Sequence, residues 1–281
     1  PARIKIKQNA VLYYLMKKII EFYSKLLRSP WAVLMIIVFL GFNYNYRLVG
    51  LLGSIIIILL SRKAWPENWV NWLGLKFNKK SIALSIILLP VIIIASYLVI
   101  LQISAIENIS YRSWLADPDI LGYIHSFSQT LNEEMILGAL LLNALRKYFS
   151  KLHPLWIALS AAAVFALLHY PFYAWIVFGE HSGEITIVAI LTLFAIGVVR
   201  NNLILQTGHI GYAWALHLGF NIVFFRGDFY DLAKNIFLNQ PERFNLILGS
   251  YIMLIIGIII LIASLLLYRK DFKIFHHIKP C

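Results

Sequence analysis

The chain has 281 residues, 60% of them hydrophobic and only 14% charged, with a mean hydropathy of +0.76; soluble domains carry roughly 25% charged residues. Apolar material runs from residue 31 to residue 268 and leaves no room for a separate soluble domain, and the lone Cys281 excludes an internal disulfide or a Cys-based zinc cluster. The net charge of +12 would suit a nucleic-acid partner in a soluble protein, but the basic residues cluster between apolar segments, where they mark topology instead.

Segments of about 17–25 apolar residues can cross a bilayer, and the pattern predicts an all-α, polytopic transmembrane bundle of about eight spans. Residues 1–30 form a basic amphipathic segment, with Leu12, Leu15, Ile19, Phe22 and Leu26 on one face and Lys17, Lys18, Lys25 and Arg28 on the others. It suits an anionic cytoplasmic surface, and a retention anchor is the simplest role for it. No cleavable signal peptide is expected, because this basic stretch precedes the first apolar run. The spans are read at 31–46, 48–60, 81–103, 121–145, 154–170, 185–199, 203–225 and 244–268, the first two also being compatible with one re-entrant hairpin.

Between spans, residues 62–80 form a polar connector with Trp65, Trp69 and Trp72, which suits the membrane interface. Pro90 falls inside the third span, and Pro154 occupies the first turn of the fifth, where a missing N–H is harmless. Ala158, Ser160, Ala161, Ala162, Ala163 and Ala166 give that fifth span a small face for close packing. Residues 269–281 are a basic tail, so the organisation is an N-terminal segment 1–30, a transmembrane domain 31–268 and the tail. No internal repeat is evident. With a cytoplasmic N-terminus, 20 of the 25 Lys and Arg lie inside, Arg200 among them in a loop between the sixth and seventh spans. Both termini are then cytoplasmic.

Ionisable groups within apolar helices are functional candidates, since a carboxylate at a helix centre costs about 2.5–3.5 kcal/mol on insertion scales. Glu133 and Glu134 lie at mid-span in 121–145, roughly 18 Å from each end. Adjacent helical positions point about 100° apart, so the two carboxylates are expected to serve different walls. Phe165 and His169 share one helix face, as do His217 and Asn221. Taken singly, each pair also reads as interfacial or interhelical hydrogen bonding. Together they supply a base, a proton shuttle and hydrogen-bond donors, the parts needed to activate water and stabilise an oxyanion. Zinc ligation by the same residues stays open, although no HExxH arrangement is present.

These residues resemble the motifs of the CAAX-protease and bacteriocin-processing family (CPBP, or Abi) of intramembrane glutamic endopeptidases, whose members are similar to type II CAAX prenyl endopeptidase. The family motifs EExxxR, FxxxH and HxxxN correspond to Glu133-Glu134-Met135-Ile136-Leu137-Gly138, Phe165 to His169, and His217 to Asn221. Flanking text agrees at Leu73-Gly74-Leu75-Lys76 and Thr207-Gly208-His209, and the resemblance covers about residues 65–225. It implies that Glu133 and His169 activate water, that His217 and Asn221 stabilise the oxyanion, and that Glu134 and Phe165 support them, with no metal or other cofactor. It also implies a membrane-associated peptide or protein substrate, lipidated or not, in a bacterial inner membrane, with lipids but no nucleic acid as partners.

One position departs from the pattern: Gly138 stands where the family has Arg. Arg146 lies about 18 Å further along the axis and is no direct substitute. Glu134 is therefore expected to be protonated, or compensated by another helix or partner, or the chemistry has changed. Three other readings stay open: a non-enzymatic immunity or partner-binding protein on the same fold, a metal-dependent peptidase, and a transporter with a carboxylate proton relay. The last lacks the inverted repeat it would favour.

Overall fold

The computed structural model describes residues 49–116, 119–171 and 185–271, with positions 14, 17–19 and 21. Most of the N-terminal segment, the 31–46 span and the tail from 272 lie outside the described residues.

Helix α1 (Val49–Ala64) packs on α4 (Ile120–Glu133), where the Ser54 hydroxyl donates to Asn132 Oδ1 at 2.6 Å. The connector contains the single-turn α2 (Trp69–Trp72), with Trp65 stacked on Trp72 at 4.4 Å. It is tied to the bundle by Asn143 Nδ2, which donates to the carbonyls of Asn71 and Trp72. Helix α3 (Lys79–Ile106) begins at a capping box between Asn78 and Ser81 and runs on through Pro90. Helix α4 continues without a break into a π-helical segment, Glu134–Leu140, and then α5 (Leu141–Tyr148).

Helix α6 (Pro154–Pro171) lies along α7 (Ile187–Thr207). Most of the small face expected of α6 is used here: Ala158, Ala161, Ala162 and Ala166 are buried, Ala163 is half-buried and Ser160 is exposed. A Cβ at Gly197 of α7 would already sit 3.2 Å from both Ala162 and Phe165. Gly208, at φ +73°, caps α7 and donates its N–H to the Ile204 carbonyl. Helix α8 (Gly211–Arg226) then packs against α3 and α4.

Three expectations are corrected. The break at Arg200 is absent: α7 continues to Thr207 and buries Arg200, Asn201 and Asn202. Those polar residues interrupt the hydropathy but have interhelical partners. Asn201 Nδ2 donates to the Ala158 carbonyl of α6 at 2.9 Å, and Asn202 Nδ2 donates to Ser264 Oγ at 3.1 Å. Second, segment 244–268 is not one helix. Helix α9 (Gln240–Ile247) ends before α10 (Tyr251–Asp271), whose first turn Ser250 caps through the Met253 N–H.

Third, the fold is not purely α-helical. Strands β1 (Ile109–Arg112), β2 (Asp228–Asp231) and β3 (Ile236–Phe237) form an antiparallel sheet with Ile109 opposite Asp231 and Tyr230 opposite Phe237. It joins the end of α3 to the end of α8. Tyr111 donates to the Val223 carbonyl, and burial pushes its phenol well above the ordinary range.

The described residues are mostly helical, and two helices, α3 and α7, are long and apolar enough to cross a membrane. Pro154–His169 and Tyr251–Leu266 are shorter apolar helices. Ile86, Ile87, Ile94 and Leu98 on α3 and Ile255, Ile259, Ile262 and Leu266 on α10 are exposed. So much apolar surface suits lipid better than water.

Candidate active site

Near the end of α4, Gln129 Nε2 donates to Glu133 Oε1 at 3.1 Å across one helical turn. The helix widens to π geometry at the next residue, Glu134, and every side chain from Glu134 to Leu140 is buried. Such bulges are rare and concentrate at functional sites. Glu134 is fully buried, whereas Glu133 keeps 16% of its side-chain surface exposed.

Helix α8 brings His217 to both carboxylates. Its Nδ1 lies 2.9 Å from Glu134 Oε1, and its Nε2 lies 3.8 Å from Glu133 Oε2. The adjacent glutamates point apart as expected, Glu134 into the protein and Glu133 toward the partly exposed side, and His217 enters between them. An imidazole carries nitrogens on two edges, so one ring entering between two diverging side chains faces both.

Arg200, the residue misplaced in a loop, supplies the counter-ion that Gly138 does not. Its Nη1 lies 3.6 Å from Glu134 Oε1, and its Nη2 donates to the Leu137 carbonyl at 3.1 Å. The guanidinium also sits over the Phe165 ring, 4.1 Å from its centroid, a favourable position for a desolvated cation. Asn201 Oδ1 accepts from Arg200 Nε and Nη2. Glu134 Oε1 thus lies between the Arg200 guanidinium and the Nδ1 edge of His217, placed to accept from that nitrogen. The Nε2 atom is left for chemistry on the Glu133 side.

On α6, His169 Nδ1 donates to the Phe165 carbonyl at 2.7 Å, which directs its Nε2 away from its own helix backbone. Its ring meets Phe165 edge-on and stacks at 6.0 Å on Phe244 of α9. His169 lies in the electrostatic field of Glu133, His217 and Arg200. Phe165 and His217 rings are 6.5 Å apart. Asn221 is buried one turn beyond His217 on α8. Among the described residues, no hydrogen bond or ion pair links it to the other candidates.

The structure thus gathers Glu133, Glu134, Phe165 and His217, with His169 beside them. It adds Gln129, Arg200 and Asn201, which the sequence reading missed. Gln129 carried a signal in its spacing to Glu133, and Arg200 in being a charge within an apolar run. Among the described residues, no group of three or more His, Cys, Asp or Glu is arranged to hold a metal ion.

Residues 88–223, from within α3 to within α8, match the family model described as type II CAAX prenyl endopeptidase Rce1-like. That interval contains every candidate above. No curated protein and no solved structure matches the chain.

Proposed function

We propose, for a chain that carries a type II CAAX prenyl endopeptidase Rce1-like domain over residues 88–223, that it is an intramembrane glutamic-type endopeptidase. At the coarser level the family is a membrane-embedded peptidase family, and a CAAX-protease kind of function follows from the match. The assignment of glutamate chemistry rests chiefly on one observation: Glu133 and Glu134 face opposite nitrogens of His217.

Glu133 Oε2 is the base, its other oxygen held by Gln129. It accepts a proton from a water oriented by His169, and the water oxygen bonds to the peptide carbonyl carbon. Glu133 then returns the proton to the amine as the C–N bond breaks. His217 Nε2 and the Asn221 amide donate to the oxyanion. Because Nδ1–H is committed to Glu134, Nε2 donates only from the imidazolium, a cation flanked by two carboxylates. Glu134 supports the ring and does not meet substrate. Phe165 carries the face on which Arg200 rests.

The substrate is a membrane-associated peptide or protein, with or without a prenyl group, reached in the presence of lipid and without nucleic acid or cofactor. An eight-span arrangement in a bacterial inner membrane with both termini cytoplasmic completes the proposal. Once Arg200 is removed from the loop count, 20 less 1 leaves 19 of 25 basic residues inside, and the asymmetry still favours that orientation. The non-enzymatic reading drew its support from the missing arginine, and the Arg200–Glu134 pair weighs against it.

The test is cleavage of a fluorogenic farnesylated CAAX peptide, and its unprenylated counterpart, by purified protein in nanodiscs. It is paired with terminal proteomics of membranes from cells expressing either wild type or Glu133→Gln. Turnover by wild type and none by the variant is expected. Identical cleavage and identical membrane termini in both would overturn the proposal.

A further inference from the structure

We propose that Arg200 is the positioning residue of this site, an arginine supplied by α7 opposite the glycine on the helix carrying the glutamates. The inference rests on the peptidase reading for its catalytic consequence, but its structural basis is independent. A Cβ built on Gly138 would stand 2.7 Å from Ile204 Cδ1 and 3.2 Å from Glu134 Oε2. No side chain fits there without displacing Ile204. Ile204 and Arg200 are four residues apart on α7, so they share a face. One helix face therefore does two things at once: Ile204 fills the space beside Gly138, and Arg200 delivers the charge one turn away.

The arginine is itself held. Asn201 Oδ1 accepts from its Nε and Nη2, and Asn201 Nδ2 is anchored on the Ala158 carbonyl. The Leu137 carbonyl, within the π-helical segment, accepts from Nη2. The guanidinium rests on Phe165. Only 4% of the Arg200 side chain is exposed, and none of Glu134. Arg200 thereby touches the helix of Glu133–Glu134 and that of His169 directly, and reaches His217 through Glu134 Oε1, the oxygen to which His217 Nδ1 donates.

Arg200 acts through another group and touches no reacting atom. By fixing Glu134 Oε1, it holds the Nδ1 edge of His217 and sets where Nε2 lies relative to Glu133. A lysine would offer one point charge without the planar fork that meets Glu134, Leu137 and Asn201 together.

The experiment uses full-length protein in detergent micelles, carrying ¹⁵N-labelled histidine. Arg200→Gln, Arg200→Lys, Glu134→Gln, the double variant Arg200→Gln/Glu134→Gln, and Gly138→Arg/Ile204→Ala/Arg200→Gln are compared. Three readouts are taken: the ring nitrogen signals of His217, the unfolding midpoint, and the rate on the farnesylated peptide. Arg200→Gln is expected to change the His217 ring-nitrogen signals, lower the midpoint, and slow cleavage at least tenfold. The double variant recovers the midpoint but neither the His217 signals nor the rate. The relocated arginine, with Ile204 trimmed, moves the His217 signals back toward wild type. If the relocated variant does not fold, Arg200→Lys decides, with altered His217 signals expected in folded protein.

Wild-type His217 signals in both folded Arg200→Gln and folded Arg200→Lys would overturn the inference. Wild-type protein that cleaves nothing, with His217 signals that still depend on Arg200, would sink the peptidase reading and leave this one standing.

Discussion

His217 Nδ1 meets Glu134 Oε1 at 2.9 Å, although the two residues come from helices separated by most of the matched domain. That bond divides the adjacent glutamates by role. One is bound to the ring on its protein side, and the other faces the free nitrogen.

Replacing Glu133 by Gln is expected to abolish turnover while leaving the unfolding midpoint near wild type, because Glu133 is partly exposed and its Oε1 still accepts from Gln129. Glu134→Gln is expected to destabilise by about 3–5 kcal/mol, since it leaves Arg200 buried without its counter-ion. Unfolding titrations in mixed micelles, alongside peptide cleavage, check both. Equal loss of activity from two equally stable variants would count against the division.

Asn221→Ala is expected to fold and to keep residual activity, about 10²–10³-fold below wild type in kcat, the usual cost of one oxyanion donor. Measured KM should change little. Complete loss of activity in well-folded protein would point to a larger role for Asn221.

Prolonged chelation is expected to leave full activity, and active purified protein to contain substoichiometric zinc. Elemental analysis and an activity assay after dialysis against chelator measure this. Activity lost on chelation and restored by zinc would replace the glutamate mechanism with metal-assisted hydrolysis by the same side chains.

Reporters at Lys279 and at His181, both outside the described residues, are expected on opposite sides of the membrane, with Lys279 cytoplasmic. Compartment-specific labelling of intact cells reads this directly. Labelling of both from the same side would refute the eight-span arrangement.

Gly197→Leu is expected to destabilise by about 1–3 kcal/mol through overpacking, because a Cβ there already meets Ala162 and Phe165 at 3.2 Å. Thermal unfolding in micelles checks it, with Gly197→Ala as the milder comparison.

Much of this was legible in the sequence because periodicity reports faces. The four-residue spacing of Phe165 and His169, and of His217 and Asn221, put each pair on one side of a helix. The alanines of α6 announced a close neighbour. Arg200, Asn201 and Asn202 were misread because hydropathy registers polarity but not its satisfaction. Their partners, the Glu134 carboxylate, the Ala158 carbonyl and Ser264, are remote in sequence. The divergence of the two glutamates was legible from the 100° step, but the ring that faces both comes from another helix and was not. Strands of two to four residues, such as Ile236–Phe237, are too short to carry an alternation that stands out from their surroundings.

The three consecutive polar residues of α7 fasten that helix to three different neighbours: Arg200 to the π-helical segment, Asn201 to α6, and Asn202 to α10. Their directions fan around the helix, roughly 100° apart. Adding or deleting one residue just before Arg200 would turn all three by that angle and unmake every attachment in a single step. Length in this stretch is thus more tightly constrained than identity: apolar neighbours such as Val198 and Val199 can be exchanged for side chains of similar size, but the spacing between Ile187 and Thr207 cannot drift.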